Sequence, residues 1–200
     1  MQYTEIEVKF AIDDPSAMRR RILGIGAQSK GKVFEANVRY DDPQGSLRHS
    51  KSLLRLRRDR KVTLTYKALP ETADPQFKIL KELEVTVDDF KTMHLILEAL
   101  GFQKVQVYEK WRESFRCENA TLCLDTMPFG TFLEIEGPRK AIRSFARRLE
   151  LPWPSRILSN YLELFADLQK EYNLPFKDVT FANFEQAGFR PVDGHGKSSG

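Results

Sequence analysis

The stretch Thr4–Phe10, TEIEVKF, sets Glu5, Glu7 and Lys9 at alternate positions between Ile6, Val8 and Phe10. Successive side chains leave a β-strand on opposite faces, so this heptapeptide predicts a short strand with one apolar face and one charged face. The same period recurs down the chain. Leu54 and Leu56 alternate with Arg55 and Arg57, and Leu64 and Tyr66 alternate with Thr63, Thr65 and Lys67. Leu83 and Val85 alternate with Glu82 and Glu84, Trp111 with Lys110 and Arg112, Leu122 and Leu124 with Asp125, and Leu133 and Ile135 with Glu134 and Glu136.

A solvated sheet face usually mixes Thr, Ser, Gln and Lys. Here paired charges recur instead, and the helical segments MHLILEAL and AIRSFARRL need an apolar surface to cover. Both requirements are met by a closed barrel with its apolar strand faces outside, under the helices, and a charged lumen. Helices are expected after Asp14, after Asp88 or Asp89, after Pro138 and after Ser159 as a cap, which gives an α+β protein dominated by antiparallel strands. From Asn173 the pattern decays, and PVDGHGKSSG is a polar, glycine-rich tail expected to be disordered.

Composition narrows the function. Thirty-two basic and 28 acidic residues leave a net charge of only +4, which does not favour a simple nucleic-acid-binding surface. No apolar run suits a bilayer span or a signal peptide, and two cysteines make no disulfide framework, so a soluble cytoplasmic protein without membrane partners is expected. GAQSKGK formally fits a phosphate loop, but Val33 follows it and it joins a helix to a strand, the reverse of the required order. The three histidines are scattered without zinc-ligand spacing. Within a polar lumen, clustered carboxylates suit a hard cation such as Mg2+, and Arg and Lys clamp phosphate oxygens. Together they suit a metal–polyphosphate ligand, whose own charges separate the two sets.

EIEVKF resembles the ExExK signature of the CYTH family, the triphosphate tunnel metalloenzymes. The likeness continues through YDDP, LLRLRRD, TLTYK, KELEV, KWR, LD, GTFLEIEG and NYLELF. It implies an eight-stranded antiparallel tunnel that binds a triphosphate and Mg2+ or Mn2+, with residues 1–172 as the CYTH domain and 173–200 as a C-terminal extension. Glu5, Glu7, Asp125, Glu134 and Glu136 are then expected to hold metal. Lys9, Arg55, Arg57, Lys67, Lys110 and Arg112 are expected to bind phosphates, and Glu82 and Glu84, with Lys67, to serve catalysis.

Related thiamine triphosphatases carry a tyrosine where this chain has Arg39, which counts against thiamine triphosphate and makes Arg39 a candidate for a base or an outer phosphate. The resulting expectation is a metal-dependent triphosphatase acting on tripolyphosphate or ATP, as a monomer or homodimer. The alternatives are a class IV adenylyl cyclase and a non-catalytic polyphosphate or nucleotide binder.

Overall fold

A computed structural model describes residues 4–70 and 73–189 of the chain. Eight strands are present: β1 (Thr4–Ala11), β2 (Gln28–Asp41), β3 (Leu53–Arg58), β4 (Val62–Ala68), β5 (Lys78–Val87), β6 (Gln103–Cys117), β7 (Ala120–Met127) and β8 (Gly130–Glu136). They close into one antiparallel barrel in the order β1-β5-β4-β3-β2-β6-β7-β8, as the alternation predicts. The helices are α1 (Pro15–Gly24), α2 (Ser46–His49), α3 (Phe90–Ala99), α4 (Arg139–Arg148), α5 (Tyr161–Tyr172) and α6 (Phe181–Gln186).

Local chemistry sets the boundaries. Asp14 caps α1 by accepting from Ala17 N, and Asp89 caps α3 at Thr92 N. The cap of α5 is Asn160 rather than Ser159. Asn160 accepts from Leu162 N and Glu163 N while Glu163 reaches back to the Asn160 amide, a reciprocal box that Ser159 has no matching carboxylate to build. Gly137 ends β8 at φ 152°, and a Cβ there would lie 3.1 Å from Asn119 O. Only glycine lets the chain pass the β6–β7 turn so closely.

The hydrophobic core lies outside the barrel wall. Val8, Phe10, Phe115, Leu122, Leu133 and Ile135 pack against Met18 and Ile22 of α1 and Ile142, Phe145 and Ala146 of α4. Each such buried side chain is worth about 1.5–3 kcal/mol. A smaller cluster places Leu54, Leu56 and Tyr40 under Leu97 of α3. Helical cover is incomplete, because Leu83 and Val85 on the outer face of β5 remain 39% and 54% exposed. The segment after Asn173, where the sequence pattern decays, nonetheless packs on the wall. Val179 exchanges backbone hydrogen bonds with Val107 and Glu109 of β6, and Phe184 of α6 is buried with Phe165 and Phe132. Aromatic contacts rather than strand or helix periodicity hold this segment. The tail PVDGHGKSSG lies outside the described residues. No helix among the described residues is long and apolar enough to cross a membrane.

Candidate active site

Residues directly opposite in neighbouring antiparallel strands face the same side of a sheet, so the strand register builds the site. Lys9 pairs with Glu134, Glu7 with both Glu136 and Lys78, Lys67 with Glu82, Thr65 with Glu84 and Arg55, and Arg39 with Arg55 and Gln106. All of them except Thr65 line one cavity of about 1030 Å³ through the barrel. Its acidic side is β8, β1 and β5, carrying Glu134, Glu136, Glu5, Glu7, Glu82 and Glu84. Arg39, Arg55, Arg57, Lys110 and Arg112 come from β2, β3 and β6 opposite. The first turns of α5 line one end through Asn160, Tyr161, Leu162 and Glu163.

Most lumen charges are cross-linked. Lys9 Nζ is 2.9 Å from Glu134, Lys78 Nζ is 2.7 Å from Glu7, and Lys67 joins Glu5 and lies 3.2 Å from Glu82. Arg57 spans Asp59 and Glu84. Burial alone would raise the Glu134 pKa, but Lys9 and Arg112 hold it well below the carboxylate range. Glu5 behaves oppositely: burial, then the adjacent Glu7, push it up to about 7 against the pull of Lys67. Burial and Glu7 raise Glu136 as well.

Two predicted phosphate ligands stand apart. Arg55 is buried and bonds only neutral groups, Tyr108 Oη at 3.0 Å and Thr65 Oγ1 at 3.2 Å, leaving its Nε without a partner. Arg39 bonds Gln106 at 3.0 Å, its Nε is also unpartnered, and burial lowers its pKa. Neither has a carboxylate at ion-pair distance among the described residues. Such guanidinium groups present donors in a fork that matches phosphate oxygens.

Asp125, expected to hold metal, faces the inward side of the wall but lies beneath Lys110, Arg112 and Tyr161. It is fully buried and outside the cavity lining, receiving Arg112 Nε and Nη2 at 2.6 and 2.5 Å, Lys110 at 2.8 Å and Tyr161 Oη at 2.9 Å. Those contacts aim Lys110 and Arg112 inward. Glu35 supports the same pair from β2, where burial opposes ionisation but Lys110 and Arg112 hold its pKa at about 2.

Sequence reasoning missed Glu35, Lys78, Tyr108 and Tyr161. Lys78 shares the period-two face of Leu80, Glu82 and Glu84, and Glu35 shares that of Asn37 and Arg39, so both were legible. Tyr161 reaches the site from a helix, and strand periodicity carries no signal for it.

The carboxylates fit a hard divalent cation. Among the described residues no three metal-ligating groups converge, because each carboxylate of the ExExK strand is drawn onto a lysine. The donor set is nevertheless all oxygen, and the burial and then the repulsion from Glu7, which together raise Glu5 and Glu136, are what a divalent cation relieves.

Residues 3–147 match the CYTH domain family. The chain belongs to the CYTH family. A Methanocaldococcus jannaschii protein provisionally named an adenylate cyclase is 29% identical over 134 residues, covering 66% of this CYTH chain and 75% of that one. The PH1012 protein of Pyrococcus horikoshii has the same fold, with a TM-score of 0.68 and 31% identity over 80% of this chain and 98% of its own. A Hippeastrum protein described as revealing a dominant triphosphatase activity shares the fold at a TM-score of 0.60 and 21% identity, covering 82% of this chain and 95% of its own.

Proposed function

We propose that this CYTH protein is a divalent-metal-dependent triphosphatase. The observation that carries this reading is the two-sided lumen, acids on β8, β1 and β5 against bases on β2, β3 and β6, with Arg55 and Arg39 lacking a carboxylate partner among the described residues. In this reading Arg55, Arg57, Lys110 and Arg112 clamp the phosphate oxygens, Arg39 stands at the outer end of the clamp, and Lys9 and Lys67 turn from their carboxylates toward the ligand. Glu5, Glu7, Glu134 and Glu136 hold Mg2+ or Mn2+, and Asp125 acts through the Lys110–Arg112 pair it positions. The bound cation supplies charge neutralisation on the phosphates. Phosphoryl transfer needs positioning and electrostatic stabilisation more than a protein nucleophile. Glu82, oriented by Lys67, accepts the proton of the attacking water, and Glu84 keeps Arg57 on the leaving phosphate.

One observation favours a second reading, cyclisation of ATP to cyclic AMP and pyrophosphate. Leu53, Leu69, Leu158 and Leu162 also line the cavity and offer apolar area to a nucleoside. Product analysis with tripolyphosphate, ATP and thiamine triphosphate under Mg2+ or Mn2+ separates the readings. Orthophosphate release from tripolyphosphate is expected. Cyclic AMP and pyrophosphate from ATP, with tripolyphosphate untouched, would establish the cyclase.

A further inference from the structure

The cations of the cavity fall into two classes. Lys9, Arg57, Lys67, Lys78, Lys110 and Arg112 each sit within ion-pair distance of a carboxylate. Besides Arg55, bonded to Tyr108 and Thr65, the residues Arg39, Arg48 and Lys51 line the same cavity and make no such pair among the described residues. All three belong to the end where β2 finishes and β3 begins.

The backbone holds two of them there. Buried Asp41 accepts from the amides of Asp42, Leu47 and Arg48 at 2.9, 2.9 and 3.0 Å, folding α2 back over the end of β2. Ser52 N then donates to Leu47 O at 2.7 Å. Lys51 between them adopts φ 53°, a left-handed conformation unfavourable for a residue with a Cβ. The two acids whose charge reaches Arg39 direct their hydrogen bonds to backbone, Asp41 as described and Glu163 at the Asn160 amide, 2.7 Å away. Arg39 keeps an unpartnered Nε, and Gln106 braces it while donating to Lys177 O at 2.6 Å. Asp41 and Glu163 offset part of this positive charge, but no carboxylate lies within ion-pair distance of Arg39, Arg48 or Lys51 among the described residues, so an anion at this mouth meets donors that are not already paired.

We propose that Arg39, Arg48 and Lys51 form an outer anion subsite for a fourth phosphoryl group, so that the tunnel selects linear phosphate chains longer than three units. This rests on the reading of the lumen as a triphosphate site and names the substrate class more narrowly. The inner clamp takes three phosphoryl groups between the acidic side and Arg55. The next group along the chain reaches Arg39 and the α2 loop, where each charge-assisted contact is worth about tenfold in affinity.

Two measurements test it. Calorimetry on the metal-free protein compares tripolyphosphate with tetrapolyphosphate, and kinetics with Mg2+ or Mn2+ compares their kcat/KM. Wild type is expected to favour the longer chain by about tenfold or more in each. In the double variant Arg48→Gln, Lys51→Gln the ratio is expected to fall towards one. Equal affinities in wild type, or an unchanged ratio in the double variant, overturn the subsite. If neither compound is hydrolysed, the triphosphatase reading fails, and the calorimetric ratio still decides the subsite. Adenosine 5′-tetraphosphate supplies the remaining arm. Its binding like inorganic tetrapolyphosphate supports phosphoryl recognition. Tight binding of the adenosine compound alone, with the inorganic chain no better than tripolyphosphate, overturns the proposal in favour of nucleoside contacts.

Discussion

Tyr161 Oη donates to Asp125 Oδ2 at 2.9 Å, so the first residue of α5 is tied to the carboxylate that also holds Lys110 and Arg112. One buried oxygen pair therefore aligns two strands and a helix.

Removing that charge tests its role. Asp125→Asn removes the carboxylate that two buried cations share, leaving Lys110 with Glu35 and Arg112 with Glu134 and Glu35, and is expected to cost about 3 kcal/mol of stability. Tyr161→Phe, which loses one neutral donor, should cost about 1 kcal/mol. Denaturant unfolding in EDTA and again with Mg2+ reads both. A loss confined to the metal-loaded protein would mark Asp125 as a ligand instead of a support.

Glu5 gives a pH signature. Its folded pKa of about 7 stands above the ordinary 4.5, so it binds its proton more tightly in the folded state. The resulting stability is fully present below pH 4.5 and lost as pH rises through about 7. Metal-free Glu5→Gln should therefore match wild type near pH 4.5 and be more stable at pH 8, by on the order of 1–3 kcal/mol. Melting curves at the two pH values decide it, and a variant less stable at pH 8 would show that Lys67 dominates Glu5.

For the phosphate clamp, Arg55→Ala should weaken tripolyphosphate binding by about tenfold or more, because an unpaired buried guanidinium is lost. Arg147→Ala, on the exposed face of α4, should stay within about twofold of wild type. Calorimetry compares them directly, and equal losses would place the binding face wrongly.

Chelation should abolish turnover, and added Mg2+ or Mn2+ should restore it. Glu136→Gln removes one hard oxygen charge and is expected to raise the metal concentration for half-maximal activity by about tenfold or more. A metal titration of phosphate release would show an unshifted midpoint if Glu136 lay outside the ion's shell.

The barrel was legible because a strand's period of two survives in any sequence whose two faces meet different media. TEIEVKF and TFLEIE each declare both faces, and the register then brings Lys9 to Glu134 and Glu7 to Glu136. Depth was not legible. Asp125 and Glu134 share an inward side of the wall, yet only Glu134 lines the cavity, because Arg112, Lys110 and Tyr161 cover Asp125. Periodicity reports the side a residue faces and says nothing of what lies over it. The α2 loop and the Val179 contact depend on single hydrogen bonds and aromatic packing, which leave no repeat to read.

The seam between β1 and β8 carries a kinetic consequence. The barrel closes by joining its first strand to its last, so the strand pairing of greatest separation along the chain, and hence the slowest of the barrel to form, is also the one that assembles Lys9 with Glu134 and Glu7 with Glu136. Ribosome-bound chains that lack β8 carry four of the six carboxylates of the acidic wall and no closed lumen. Chemistry begins only when folding is finished, and a nascent or truncated chain has no working catalyst to release prematurely.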